Sequence, residues 1–335
     1  DKLRVLAVKA EPPEVAPGAP SSLSALVVEP LLPQLDASVA NPTVSYLWLA
    51  CAIPPGASEE APCGLGPSSQ VATDATPTSL PLCKDQPGAS LCEIGTDENV
   101  SYTPSASAVG KGETTQLLIT LVVADNQSAF GCLIDAASSG NQQPHPDHCV
   151  VALKRLVVTA PDYALADGTK PAPNHNPLLT DLSLVEDTDL GVAAALDADG
   201  GAFDVAPVKD APTFELRASR AADAAEQEPR FDESSGKLLG TQYEALTVAW
   251  FATGGKIDGG RSLFVPDGKD SGGHPCATQS DCPTTQPITV VTTKWTAPDP
   301  EMLTATAPGG EVRLWAVLRD DRGGVSWLQG SARAK

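Results

Sequence analysis

Two stretches carry the pattern that decides the fold, Val44-Ser45-Tyr46-Leu47-Trp48-Leu49-Ala50-Cys51 and Leu246-Thr247-Val248-Ala249-Trp250-Phe251-Ala252-Thr253. Both are short and apolar, and both alternate in polarity with the two-residue period of a β-strand. They agree in polarity position by position, and each holds a tryptophan at its fifth position. They therefore predict two equivalent strands, in which Trp48 and Trp250 are each buried in the core of a separate β-sandwich.

The correspondence extends beyond these two strands. Tyr102-Thr103-Pro104 matches Trp295-Thr296-Ala297-Pro298, and residues 112–125 match residues 310–320. Equivalent positions lie roughly 200 residues apart, whereas solenoid repeats recur every ~20–50 residues. The sequence therefore indicates a domain duplication.

We predict an all-β chain with two antiparallel β-sandwich domains in tandem. Residues 1–160 form the first, with long disulfide-bearing loops, and residues 178–335 form the second. Residues 161–177 form a Pro-rich linker, which is stiff because proline restricts the backbone. Helical periodicity is nearly absent, and short apolar runs between Pro and Gly predict antiparallel strands.

The composition favours globular domains without catalytic activity. Of the 335 residues, 41% are hydrophobic and 19% are charged, so the chain can bury cores despite its 31 prolines and 28 glycines. Aromatic residues make up 4%, and there are four histidines, which leaves few of the side chains that usually line ligand pockets. We therefore expect a protein that is not an enzyme.

The net charge of −20 limits the partners. It repels phosphates and anionic lipids, and no basic patch offsets it, so the sequence excludes nucleic-acid binding. No run approaches the roughly 18 apolar residues of a membrane span, so no transmembrane segment is predicted. Asp1-Lys2-Leu3-Arg4 is not a signal peptide. We expect that a targeting segment preceded Asp1, and a lipidated cysteine at its end is left open.

Eight cysteines without C-x-x-C pairs favour disulfides over zinc, and so an extracytoplasmic compartment: the cell surface, the outer membrane or the periplasm. They are Cys51, Cys63, Cys83, Cys92, Cys132, Cys149, Cys276 and Cys282. Position favours the pairs Cys132–Cys149 and Cys276–Cys282, while the first four can pair among themselves in three ways. We expect local pairing.

Three candidate sites compete with structural interpretations. His145, His148 and Cys149 carry metal-binding donor types, but they lack a fourth ligand, and a disulfide at Cys149 is favoured. Asp197, Asp199 and Asp204 alternate around a Gly turn and are candidate calcium ligands. The complete EF-hand spacing is absent, so an ion-free Asp/Gly turn is favoured. No other cofactor is predicted.

Asp147-His148-Cys149 and Asp270-Ser271-Gly272-Gly273 resemble the histidine and serine motifs of trypsin-like proteases. A catalytic histidine requires an aspartate that orients it and a serine within hydrogen-bond reach. In the duplicated arrangement His148 and Ser271 belong to different domains, and the run before His148 is polar. We therefore expect neither motif to be catalytic.

The end of the chain carries a family resemblance. Trp295-Thr296-Ala297-Pro298, followed by GEVRLWAVLRDDRGGV at 310–325, resembles the final strands of polycystic-kidney-disease-type Ig-like domains. The first half resembles them more loosely, through Ala124-Asp125-Asn126, and departs from them in its Cys-bearing insertions. The resemblance implies roles in adhesion, spacing or scaffolding. The Ala/Pro/Gly/Asp bias and Val15-Ala16-Pro17-Gly18 also resemble surface lipoproteins of high-GC Gram-negative bacteria.

Two functions remain as hypotheses. The first is a non-enzymatic structural or interaction subunit of a cell-surface or periplasmic assembly, with other proteins as partners. The alternative is a calcium-assisted adhesin that binds carbohydrate or protein, which requires exposed aromatic side chains on one sheet face. Trp315 and Trp327 are expected on core or edge strands, so no such platform is evident.

Overall fold

A computed structural model describes residues 3–28, 44–52, 80–85, 91–138, 148–186, 193–195, 202–205, 213–231, 237–298 and 311–334. The described residues up to His175 form one compact unit, unit 1, and those from Asn176 onward form another, unit 2. No helix within the described residues is long and apolar enough to cross a membrane.

The elements of unit 1 are β1 Arg4–Glu11, β2 Glu14–Val15, β3 Ser21–Val28, β4 Val44–Ala52, β5 Cys92–Gly95, β6 Val100–Tyr102, β7 Thr114–Asp125, α1 Ala129–Ser138 and β8 Cys149–Thr159. The elements of unit 2 are β9 Leu179–Glu186, β10 Ala193–Ala195, β11 Ala202–Val205, β12 Thr213–Arg220, β13 Gln227–Phe231, β14 Leu238–Tyr243, β15 Leu246–Ala252, β16 Lys256–Asp258, β17 Arg261–Phe264, β18 Val290–Thr296, β19 Glu311–Asp320 and β20 Val325–Ala334.

Unit 1 is a sandwich of two sheets. One has the strand order β1-β3-β6, and the other has the order β2-β8-β7-β4-β5. Leu23 of the first sheet and Trp48, Ile119 and Leu156 of the second are buried in one apolar cluster. Burial of this apolar surface holds the two sheets together.

Unit 2 repeats the arrangement with sheets ordered β10-β9-β12-β18-β16 and β11-β20-β19-β15-β17. Its core contains Leu216 and Trp295 from one sheet and Trp250 and Leu314 from the other. Strand β15 lies between β19 and β17, as β4 lies between β7 and β5. β11 runs parallel to β20, as β2 runs parallel to β8.

This shared strand order is that of an Ig-like sandwich. The predicted all-β fold built on sandwiches is confirmed, and Trp48 and Trp250 occupy equivalent buried strands. The assignment to the polycystic-kidney-disease type stays a prediction, as do the tandem organisation and the domain limits. Part of the predicted linker packs on unit 1, because the Asn174 N–H donates to Glu14 Oε2 at 2.8 Å and the Gly112 N–H donates to Asp162 Oδ1 at 2.9 Å.

Helix α1 is an element that the sequence analysis did not predict. It lies in the connection between β7 and β8, and it covers the face of the sheet opposite the sandwich core. Leu47 and Leu49 of β4 therefore pack beside Cys132 and Leu133 of the helix. Since Trp48 is also buried, both faces of β4 are covered from Leu47 to Cys51.

The start of α1 does have a local sequence explanation. Ser128 precedes the helix, and its Oγ accepts a hydrogen bond from the Gly131 N–H at 3.0 Å, as an N-cap residue does. Ala129, Cys132 and Leu133 are buried and follow the i, i+3, i+4 spacing of a helix face. The helix has only ten residues, so its periodicity does not stand out from the apolar strand patterns on either side.

Candidate functional site

The cysteines form disulfides throughout the part of the chain that the structure describes. The bonds join Cys83 to Cys92, Cys132 to Cys149 and Cys276 to Cys282, and the last two are the pairs favoured from the sequence. Cys51 is also disulfide-bonded, and Cys63 lies outside the described residues. Because the Cys149 sulfur is bonded to Cys132, it is not a metal-binding thiolate. His145 lies outside the described residues.

The disulfide between Cys132 and Cys149 attaches α1 to the first residue of β8. Replacing both cysteines with serine is expected to lower the unfolding free energy of unit 1 by about 2–4 kcal/mol, because the unfolded chain is no longer restrained. Hydrogen exchange should show α1 losing protection before the strands. The matched control is the double replacement of Cys276 and Cys282, which should leave α1 unchanged. Unaltered exchange of α1 in the first variant would contradict the expectation.

His148 has the aspartate partner that the sequence analysis did not find. Its Nδ1 lies 2.7 Å from Oδ1 of Asp125, a buried residue at the end of β7. The Asp125 N–H also donates to the His148 carbonyl at 3.1 Å. The pair therefore ties the end of β7 to the residue that precedes β8, and this gives His148 a structural role.

Ser271 lies in a loop of unit 2 that is shaped by Asp270. Asp270 Oδ1 accepts hydrogen bonds from the Gly272 N–H at 2.8 Å and from the His274 N–H at 2.9 Å. Such contacts from an aspartate to the backbone that follows it are typical of turns. The resemblance of this stretch to a protease loop has this local explanation.

The predicted calcium ligands are only partly within the described chain. Asp197 and Asp199 lie outside the described residues. Asp204 belongs to β11, where it pairs with Arg333 of β20, and its side chain is not described. Among the described residues, no group of three or more His, Cys, Asp or Glu side chains is arranged to hold a metal ion. The calcium hypothesis stays a prediction.

Trp315 and Trp327 do not form an exposed aromatic platform. Trp315 lies between the core residues Leu314 and Ala316 on β19, so it faces away from the core, yet it is buried. Its indole N–H donates to Gln329 Oε1 at 2.9 Å. Trp327 is half-buried. These positions do not supply the sheet face that the adhesin hypothesis requires.

The most distinctive surface feature is a two-stranded ribbon formed by β13 and β14, which stands apart from the other sheets of unit 2. The strands pair from Gln227 opposite Tyr243 to Phe231 opposite Leu238. A bulge leaves Leu239 without an opposite residue. Phe231 is 47% exposed and Leu239 is 55% exposed, so the ribbon carries apolar side chains in contact with water.

Glu226 and Glu244 are hydrogen-bonded to each other at the base of the ribbon, which is the end where β13 begins and β14 ends. The Glu244 N–H donates to the Glu226 carbonyl at 3.0 Å, and the Glu226 N–H donates to Glu244 Oε1 at 3.1 Å. The Glu244 side chain is fully buried, and its Oε2 has no hydrogen-bond partner among the described residues. The Glu244 carboxyl group therefore links the residue before β13 to the residue after β14, at the base of the ribbon.

The turn between β19 and β20 surrounds this base with further charges. Arg322 Nη1 lies 3.4 Å from Glu226 Oε2, and Asp321 Oδ2 accepts the Ala245 N–H at 3.3 Å. Burial, followed by the charge of nearby Asp320, raises the pKa of Glu244 to about 9, and the charge of Glu226 acts in the same direction. Glu244 is therefore protonated and neutral at pH 7.

Neither the ribbon nor its base follows from local sequence patterns. The segment QEPRF at 227–231 lacks strand alternation and contains a proline, and nothing next to Glu244 in sequence identifies it as buried. Its surroundings come from a turn that is distant along the chain. Chemically, the ribbon offers main-chain groups and apolar side chains, which suit a contact with another protein rather than a reaction.

The fold and this site define an all-β protein with Ig-like sandwich architecture and an exposed β-ribbon. No family model matches the chain, and no curated protein matches it significantly. Solved structures with limited similarity include three that are matched over nearly the whole of this chain. The D0-D1 domain of intimin has 9% sequence identity and a TM-score of 0.19, and the match covers 98% of this chain and 95% of that chain. Escherichia coli alpha-2-macroglobulin activated by porcine elastase has 10% identity and a TM-score of 0.23, with 99% of this chain and 22% of that chain covered. Dimeric latent PorU from Porphyromonas gingivalis has 10% identity and a TM-score of 0.18, with 100% of this chain and 24% of that chain covered. These TM-scores assign neither a family nor a function.

Proposed function

We propose that the protein is a non-enzymatic structural or interaction subunit of an assembly at the cell surface or in the periplasm. The observation that carries the proposal is the β13–β14 ribbon, with Phe231 and Leu239 exposed to water on a strand pair that leaves the sandwich. Exposed apolar side chains beside strand-edge main-chain groups are typical of surfaces that contact other proteins.

The disulfides and the contacts made by the two protease-like motifs support the same proposal. Disulfides form and persist in oxidising compartments, which supports an extracytoplasmic location. His148 and Asp270 are engaged in contacts that hold strand ends and a turn. These contacts explain the motifs that resemble a protease without requiring a reaction.

Cross-linking of the native protein before gentle extraction tests the proposal. We expect a partner protein linked in excess through Lys237, which precedes β14, compared with Lys256, an exposed lysine on another strand. The contact should bury at least about 1,000 Å². A protein that carries no partner would contradict the assembly role. Turnover in a hydrolase screen that is abolished by Ser271→Ala would contradict the non-enzymatic role.

A further inference from the structure

We propose that β14 is a self-pairing edge, which pairs antiparallel with β14 of a second copy of this chain. Two ribbons would then form one four-stranded sheet across a twofold axis. The inference rests on the proposed function, because it names the partner of the ribbon.

The edge of β14 is open to solvent. In the part of the chain that the structure describes, β14 pairs with β13 on one side and with no strand on the other. Leu239, Gly240 and Thr241 are consecutive exposed residues, and a Cβ added to Gly240 would meet no atom within 4 Å. The Tyr243 N–H donates to the Pro283 carbonyl at 2.8 Å, so the open stretch is 238–242.

The absence of charge distinguishes β14 from the other edge strands of four or more described residues, although the three-residue edges β6 and β10 are also uncharged. Natural edge strands carry charged side chains or proline, which prevent pairing with other chains. Among the described residues, the other edge strands of four or more residues are β1, β5, β11, β13 and β17, and each carries a charged residue. The sequence of β14, LLGTQY, contains none. It therefore lacks protection by charge or proline, and the bulge at Leu239, which blunts the start of the strand, leaves residues 240–242 in regular pairing.

The same feature selects a second copy as the partner. Twofold antiparallel pairing places the residues nearest the axis beside their own symmetry mates, so a charged residue in the middle of the strand would repel its own copy. Copies of a chain with a net charge of −20 repel one another in general, and they can approach most closely along an uncharged strand. β14 is such a strand.

The two sides of the ribbon are not equivalent. Pro229 interrupts β13 and has no N–H to donate, and Glu228 and Arg230 flank it. The bulge opposite Arg230 and Phe231 leaves Leu239 exposed on β14, where an added strand would cover it. An isolated pair of strands is marginally stable, so a four-stranded sheet also stabilises the ribbon.

Sedimentation equilibrium of the full chain tests the proposal. We expect a concentration-dependent dimer in the unaltered protein. Thr241→Lys and Thr241→Glu should each weaken dimerisation at least about tenfold, because pairing centred near Gly240 makes the two copies of residue 241 diagonal neighbours on one face. An equimolar mixture of the two variants should restore the dimer. Leu178→Lys is the matched control, since Leu178 is 57% exposed and lies outside the ribbon.

Three results would overturn self-pairing: an unaltered protein that stays monomeric, a dimer that persists in both Thr241 variants, or variants that remain monomeric when mixed. A far-UV circular dichroism spectrum that matches that of the unaltered protein shows that the Thr241 variants are folded. A monomeric protein that still cross-links through Lys237 to a different protein removes self-pairing and leaves the subunit proposal intact. A dimer that is weakened by the Thr241 variants supports self-pairing of β14. If the native extract then contains no other partner protein, the proposal of an assembly with other proteins is contradicted.

Discussion

Trp48→Ala and Trp250→Ala are each expected to destabilise strongly the unit that contains the tryptophan and to leave the stability of the other unit unchanged. Trp48 is fully buried, and its indole N–H donates to the Asp97 carbonyl at 2.9 Å. The Trp250 indole N–H donates to Ser262 Oγ at 2.9 Å. Truncating a buried tryptophan costs roughly 3–5 kcal/mol, and complete domains are stable by only about 5–15 kcal/mol.

Differential scanning calorimetry measures this effect. We expect two transitions in the unaltered protein, of which each substitution lowers or removes one. Trp327→Ala serves as the control, because Trp327 is half-buried and lies outside the core of unit 2. A single cooperative transition that is lost in both variants would contradict the predicted division near residues 161–177.

Glu244→Gln is expected to favour the folded state of unit 2 by about 3 kcal/mol more at pH 7 than at pH 4.5. The pKa of Glu244 is about 9 in the folded protein because burial and the charge of Asp320 disfavour its ionisation. In the unfolded chain the group returns to the ordinary value of 4.5. Glutamine keeps the oxygen that accepts the Glu226 N–H and does not titrate, while burial of its amide N–H groups in place of Oε2 adds a cost that does not change with pH.

The direction of the pH dependence follows from these two pKa values. Between pH 4.5 and about 9 the folded state holds a proton that the unfolded state has released. The stability from this group is therefore complete below pH 4.5 and falls by about 1.4 kcal/mol per pH unit as the pH rises towards 9. Burial also raises the pKa of Glu228 and of Asp321, which adds to the dependence in the same direction.

Urea unfolding at a series of pH values separates this effect from a general change in stability. The difference in unfolding free energy between Glu244→Gln and the unaltered protein should move in favour of the variant as the pH rises from 4.5. Glu311→Gln is the matched control, because Glu311 is partly exposed and pairs with Arg333 at 3.2 Å. A difference for Glu244→Gln that stays constant with pH would show that the buried carboxyl is not the titrating group.

The same titration bears on the ribbon. Glu244 and Glu226 close its base, so ionisation of Glu244 places a second negative charge beside Glu226 in a buried position. We expect the amides of β13 and β14 to exchange faster at alkaline pH than those of the sandwich strands, after correction for the intrinsic rate. Exchange of the ribbon would then report on the proton held by Glu244.

The sandwich cores could be predicted from local sequence because strand periodicity repeats within a few residues. Trp48 and Trp250 sit in stretches with matching polarity, and the structure places both in equivalent buried strands. The Cys132–Cys149 and Cys276–Cys282 disulfides could also be predicted, because each joins cysteines that are near in sequence. Short-range patterns of this kind can be recognised in a single sequence without knowledge of distant contacts.

The sequence by itself thus determined the all-β class, the repeated core strand and two disulfides. Only the tertiary structure decided the surroundings of Glu244 and the exposure of β14. The charges beside Glu244 come from the turn after Asp320, and residues that are distant along the chain meet only when the sandwich forms. Likewise, the polarity of LLGTQY does not show whether a neighbouring strand will cover it, because the edge of a sheet is a property of its topology rather than of any single strand.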